Sequence, residues 1–263
     1  MSFVVAADSY DRFMGRYSSL LAPIFADFAG VDGDQTVIEV GCGPGALTSV
    51  LVDRLGAGAV TAVDPSPPFV AAARERFPGV TVQESTAESL PFDEDVFDLS
   101  LAQLVVHHMS DPIAGIAEMA RVTRPGGTVA ACVWDLGAGR DPLSPFWRAV
   151  RRYDPTAIGE SGYAGTREGH LLEIFEDAGL AQIDGEGLVF EVEHSSFEEW
   201  WDPFKLGVGP AGAYAAGLPP EDQAILEALC REELPTAPFT LSLRAWAARG
   251  TPSTGDSQTG QTM

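Results

Sequence analysis

The sequence predicts an α/β fold built on a parallel sheet covered on both faces. Two observations carry this: apolar runs alternate with segments of helical periodicity through the first half of the chain, and the first buried-looking run, "TVIEV", ends in a glycine turn that opens a helix. Residues 9–29 have apolar positions at helical spacing, with Pro23 expected to start or bend a segment. "TVIEV" (36–40) reads as a strand and "ALTSVLVDRL" (46–55) as a helix. "AVTAVD" (59–64) is a second strand, followed by the helix "SPPFVAAARERF" (66–77), whose prolines fall in the first turn, where a missing N–H costs nothing. "VTVQES" (80–85) and "FDLSLAQ" (97–103) are further strands. The helix "IAGIAEMARVT" (113–123) is closed by "RPGG" before the strand "TVAACVWD" (128–135).

After Asp135 the rhythm breaks. "HLLEIFEDAGL" (170–180) reads as a helix, "LVFEVEH" (188–194) and "FTLSLRAWAA" (239–248) as strands, and a stretch rich in Trp, Phe, Pro and Gly lies between those strands. Within it "PPEDQAILEALCREEL" has the pattern of an amphipathic helix. The organisation expected is one domain over 1–250, with a helical N-terminal arm over 1–30 and a lid insertion over 195–238. The nearly apolar-free tail 251–263 is expected to be disordered.

Composition narrows the function. A chain of 263 residues with 45% apolar content can bury a full core. No run approaches the roughly 18 apolar residues of a membrane span, and the first residues carry acids where a signal peptide has basic groups, so a cytoplasmic protein with no membrane partner is expected. The net charge of −22, with Lys205 the only lysine, repels phosphate backbones and argues against nucleic acid. Cys42, Cys132 and Cys230 are too scattered for a metal cluster or paired framework and read as buried thiols; no metal set is expected. His170 and His194 read as packing or capping residues.

The glycine turn, "VIEVGCGPG", carries the ligand signal. Gly41, Gly43 and Ala46 satisfy the dinucleotide pattern G-x-G-x-x-G/A, and Asp64 follows at the distance of a ribose-binding acid. Three features favour a different ligand. Gly45 keeps the backbone bare along the whole turn, Pro44 removes an N–H where a pyrophosphate collects donors, and Glu39 places a carboxylate that repels a pyrophosphate but suits an ammonium or sulfonium. The turn reads as a site for a cation-bearing nucleoside, with a nicotinamide-dinucleotide oxidoreductase as the alternative.

Together "VIEVGCGPG", "AVDPS", "AESLPF", "FDLSLAQLVVHHMSDP" and "EMARVTRPGGTVA", in this order, resemble the class I S-adenosylmethionine-dependent methyltransferases, in particular the small-molecule group that includes the ubiquinone and menaquinone biosynthesis enzymes. The resemblance is close over 10–135 and holds in outline beyond. It implies a Rossmann-like, doubly wound seven-stranded sheet of order 3-2-1-4-5-7-6 with strand 7 antiparallel, and S-adenosylmethionine as cofactor. Carried over by position, Glu39 and the turn Gly41, Gly43, Gly45 pass under the methionine part, and Asp64 takes the ribose hydroxyls. Pro65 and Ser66 flank the adenine. Thr86 stands where the family usually has an Asp for the adenine amino group, with Ala87 and Glu88 offering backbone contacts, and Gln103 lies near the methionine moiety. "YDRFMGRYS" resembles the arm that closes over the cofactor, where Arg16 pairs with its carboxylate and Tyr17 covers it.

The acceptor side is thinner. Relatives of the fold include cyclase-like enzymes that bind the cofactor without transferring its methyl group, which leaves that alternative open. Trp147, Trp200, Trp201, Phe204 and Tyr214 are candidates for the wall of a pocket taking a small, apolar or aromatic acceptor, and equally for lid core. His107 and His108 follow strand 4 and Asp135 ends strand 5, so all three fall on one sheet edge; an imidazole supported by Asp135 is a candidate general base, against the alternative that the pair packs beneath the cofactor.

Overall fold

A computed structural model describes residues 7–253. Its single seven-stranded sheet has the order β3-β2-β1-β4-β5-β7-β6. The strands are β1 (Val37–Val40), β2 (Val60–Asp64), β3 (Thr81–Glu84), β4 (Phe97–Gln103), β5 (Thr123–Trp134), β6 (Leu180–His194) and β7 (Phe239–Pro252). The first five pair in parallel, and β7 runs antiparallel to both β5 and β6. This is the topology that the resemblance implied.

Helices α1 (Ala7–Tyr10) and α2 (Arg16–Ala29), joined by a π-helical turn over Asp11–Gly15, precede the sheet. Helices α3 (Ala46–Leu55), α4 (Pro67–Arg76) and α5 (Pro112–Val122) connect the parallel strands. Beyond β5 come α6 (Ser144–Tyr153) and α7 (His170–Asp177). Between β6 and β7 lie α8 (Phe197–Trp201), α9 (Gly209–Gly217) and α10 (Pro220–Glu233). Side chains alternate across the sheet: Val37, Leu101 and Cys132 face a cluster that contains α2 and the aromatic residues of α8, whereas Ile38, Ala102 and Val133 face one built with α5 and α7. All three cysteines are buried thiols. No described helix is long and apolar enough to cross a membrane.

Four expectations need correction. Pro23 does not start a segment; it lies inside α2, which runs through it to Ala29 and stops at Gly30, in the left-handed conformation at φ 74°. Residues 124–127 do not close the helix but are drawn into β5, where the register against β4 shifts between Phe97 and Leu99. Residues 251 and 252, assigned to the tail, still belong to β7 and pair with Ala181 and Leu180. The rest of that tail (254–263) and the start of the arm (1–6) lie outside the described residues. Finally α6, which the sequence reading passed over, is a buried helix whose start is fixed by Asp141: its carboxylate accepts from Leu143 N at 2.8 Å and from the Ser144 hydroxyl.

Candidate active site: two adjoining clefts

The turn after β1 forms because its backbone goes where side chains do not fit. Gly41, Gly43 and Gly45 all have positive φ, at 75°, 52° and 99°. A Cβ on Gly41 would come within 2.5 Å of Val105, and one on Gly45 would strike the Phe77 ring. Gly43 differs: no protein atom lies within 4 Å of its Cβ direction, so its bare face looks onto open space. Gly43 also lines a cleft of about 370 Å³, together with the rest of the turn, Glu39 and Gln103, and Asp11, Gly15 and Ser18 from the N-terminal helices.

Asp64 ends β2 and ties the turn down. Its Oδ2 accepts from Gly43 N and its Oδ1 from Ser66 N, both at 2.8 Å. Burial raises its pKa while these two bonds oppose the rise. Each oxygen keeps a lone pair for a further donor. Glu39 is fully buried, accepts from the Thr48 hydroxyl at 2.5 Å, and is pushed up to about 8 chiefly by burial. Gln103 donates through Nε2 to Ser18 O at 3.2 Å, but its buried Oε1 has no partner. A cleft with one unsatisfied acceptor and one desolvated carboxyl is chemically short of a cation or N–H donor.

The remaining nucleoside candidates flank this cleft. Ser66 is buried beside Asp64 and Pro65 is exposed. Thr86 is exposed; Ala87 is buried, where a Cβ added to Gly115 of α5 would come within 3.3 Å of it, and the Glu88 carboxylate accepts from Ser110 N and Asp111 N, so the loop after β3 is tied to the start of α5. Arg16 and Tyr17 depart from their expected role. The Arg16 guanidinium donates to Glu199 at 2.8 Å and to Glu193 O at 2.9 Å, and the Tyr17 hydroxyl lies 3.3 Å from His194 Nε2. Both join α2 to β6 and α8, because the helix turns that face toward the sheet edge; Tyr10, Asp11 and Ser18 on other faces reach the cleft instead.

A second cleft, of about 500 Å³, adjoins the first, and Tyr10 and Leu104 line both. Leu104 is held at φ 61°, a conformation that costs a non-glycine residue about 1–2 kcal/mol. Phe13, Met14, Trp134, Leu136, Leu143 and Val208 supply apolar walls, and His107, His108 and Glu160 supply polar groups. The two imidazoles stand 3.9 Å apart; burial holds His107 well below the usual range and pushes His108 down to about 4, so both are neutral at pH 7. His107 Nδ1 is buried without a partner.

On the acceptor side one expectation fails and one open alternative is resolved. Asp135 does not support either histidine: it is buried, receives Nε of Arg244 at 2.8 Å and Nη2 at 2.5 Å, and accepts from Ala138 N. Strand β7 inserts beside β5 and brings Arg244 to it. The lid aromatics are core, not wall. Phe204 stacks on Phe146 at 4.6 Å, Trp200 donates to Pro142 O, Trp201 donates to Glu227, and Tyr214 packs edge-on against Phe146. Trp147 lines neither of these clefts but a third, outer one. His170 accepts from Gly165 N and His194 stacks on Phe239, which are the local packing roles read from sequence.

Residues 38–131 match the family model described as methyltransferase domain. The chain is 40% identical over 150 residues to 2-methyl-6-phytyl-1,4-hydroquinone methyltransferase 2 of Oryza sativa subsp. japonica, an alignment covering 56% of this chain and 39% of that one. It is 35% identical over 127 residues to demethylmenaquinone methyltransferase of Tropheryma whipplei, covering 47% and 51%. The methyltransferase-domain match runs from β1 into β5, the part of the sheet that carries the glycine turn. The crystal structure of the YcgJ protein of Bacillus subtilis shares the fold, with a TM-score of 0.58 at 20% identity, covering 91% of this chain and all of that one. The chain spans about half or less of the length of the curated relatives it matches.

Sequence reasoning missed the actual walls of the second cleft. Tyr10, Phe13 and Met14 lay in view in "YDRFMGRYS", but the resemblance gave that segment's roles to Arg16 and Tyr17. Glu160, in "IGESGYAG", carried no signal at all; only the fold brings it to the cleft.

Proposed function

We propose that the protein transfers a methyl group from S-adenosylmethionine to a small, largely apolar or aromatic acceptor. The observation that carries this reading is the junction at Tyr10 and Leu104 of a polar cleft, built on the glycine turn, and an apolar one. The polar cleft suits the cofactor: Gly43 leaves room for it, Glu39 and the orphaned Gln103 oxygen complement its positive charge, and Asp64 has acceptor capacity for ribose hydroxyls. When bound, the cofactor supplies an electrophilic methyl group on a positively charged sulfur. The chain's contribution is to hold the acceptor in line beside it and keep water out, for which the walls from Phe13 to Val208 are suited. His107, neutral and with its Nδ1 unpartnered, would accept a hydrogen bond from an acceptor hydroxyl and orient it; because burial disfavours its charged form, it would draw on that proton only in the transition state. The named activities of the relatives, on a hydroquinone and on demethylmenaquinone, support an aromatic acceptor here.

The test is product analysis after incubation with methyl-labelled cofactor and a panel of phenols, quinols, amines and sugars. Labelled phenol or quinol products support the reading, and label appearing only in protein or nucleic acid overturns it. His107→Gln is expected to lower turnover about a hundredfold with cofactor affinity unchanged. Near-normal turnover would leave proximity as the whole mechanism.

A further inference from the structure

Glu160 closes the far end of the apolar cleft. The cofactor cleft meets the apolar one at Tyr10 and Leu104, and the apolar one meets an outer cleft of about 830 Å³ at Leu136 and Glu160. Glu160 thus lines the apolar cleft where it meets the outer one and does not line the cleft of the glycine turn. It is only 4% exposed. One oxygen, Oε2, is fixed by the Trp147 indole N–H at 2.9 Å, and among the described residues no donor reaches Oε1. The loop packs closely on Trp147: a Cβ on Gly159 would sit 3.3 Å from its ring, a tight contact, and Glu160 O accepts from Tyr163 N at 3.0 Å.

Resting on the methyltransferase reading above, we infer that Glu160 is a specificity-determining residue that selects acceptors carrying a hydrogen-bond donor, a hydroxyl or an amino group, at the end remote from the methylated atom. With Oε2 taken by Trp147, Oε1 is the accessible oxygen, and an acceptor that supplies a donor there gains a charge-assisted hydrogen bond in place of water. An acceptor ending in a carboxylate meets like charge and is rejected. The groups around Glu160 set its ionisation. Burial first, with Asp141 adding to it, pushes it up to about 7 against the Trp147 bond. Tyr163 beside it is raised in turn, the imidazoles of His107 and His108 are neutral across the cleft, and Arg148, toward the outer cleft with Arg151, is engaged by Glu233. Selection against carboxylates is thus strongest above neutrality and fades as Glu160 is protonated below it.

The experiment measures binding of three matched probes to the full chain by calorimetry, with and without S-adenosylhomocysteine: 4-hydroxyphenethyl alcohol, 4-hydroxyphenethylamine and 4-hydroxyphenylacetate. At about pH 8.5 the alcohol and amine are expected to bind at least about tenfold more tightly than the carboxylate, and the gap should close by about pH 5.5. Glu160→Gln, which keeps an acceptor for Trp147, should abolish both the gap and its pH dependence. Trp147→Phe removes the donor that stabilises the charged form, so the midpoint of the pH dependence should move upward. A gap that persists in Glu160→Gln, or no gap in the wild type, overturns the inference. The titration with S-adenosylhomocysteine separately tests the methyltransferase reading, because its failure leaves the comparison among probes measurable.

Discussion

Two buried carboxyls, Glu39 and Glu160, mark two clefts that are made in different ways. Glu39 is held by Thr48, nine positions along the chain, and its neighbour Asp64 bonds the backbone of Gly43 and Ser66 within consecutive strand-and-turn units. Glu160 is held by Trp147, and its cleft is assembled from α1, the turn after it, the ends of β4 and β5, and the start of α9. The first site is a property of backbone conformation at a topological switch point, so its residues leave a spacing in the sequence. The second is a property of tertiary packing, and no spacing encodes it.

The largest expected effect sharpens this contrast from the packing side. Phe204→Ala deletes a ring that stacks on Phe146 and meets Phe13 edge-on, and should destabilise the chain by about 3–5 kcal/mol in denaturant unfolding. If the lid aromatics instead walled the pocket, stability would hold while acceptor binding fell. Next, Asp64→Ala should weaken cofactor binding by about 1.5–3 kcal/mol, the scale of hydrogen bonds to a charged group, as read by calorimetry. Unchanged affinity would break the assignment of the first cleft.

The smallest effect is electrostatic. With a pKa of about 8, Glu39 is mostly protonated at pH 7. A cationic ligand favours the charged form and lowers that pKa, so binding at pH 7 should release up to about one proton per site, and affinity should rise with pH until about 8 and then level off. Calorimetry in buffers of different ionisation enthalpy reads the release directly. Proton uptake, or affinity falling with pH across that range, would contradict it.

The difference between the two clefts also explains what could be read in advance. Strand-helix alternation up to Trp134 was legible because each buried strand and each amphipathic helix writes its own period, and "FDLSLAQ" and "ALTSVLVDRL" coincide with β4 and α3. The start of β6 was not, because 180–187 is interrupted by Asp184, Gly185 and Gly187 and is held by its long antiparallel pairing with β7. Asp135 was misread for a related reason: its position on the sheet edge follows from topology, but its partner Arg244 comes from a strand more than a hundred residues later. Arg16 and Tyr17 were placed over the cofactor by resemblance alone, and their actual partners, Glu193, His194 and Glu199, come from a strand and helix more than 170 residues later.

The most direct test of the central claim is titration of S-adenosylmethionine into the wild-type chain and into Gly43→Ala. No protein atom lies within 4 Å of the added methyl group, so the variant should fold, with a left-handed alanine costing about 1–2 kcal/mol, and any loss of affinity reports a ligand lying against that face. The expected result is saturable one-to-one binding by the wild type, weakened about a hundredfold or more in the folded variant. Equal binding by both chains, or binding of a nicotinamide dinucleotide in place of S-adenosylmethionine, would contradict the account.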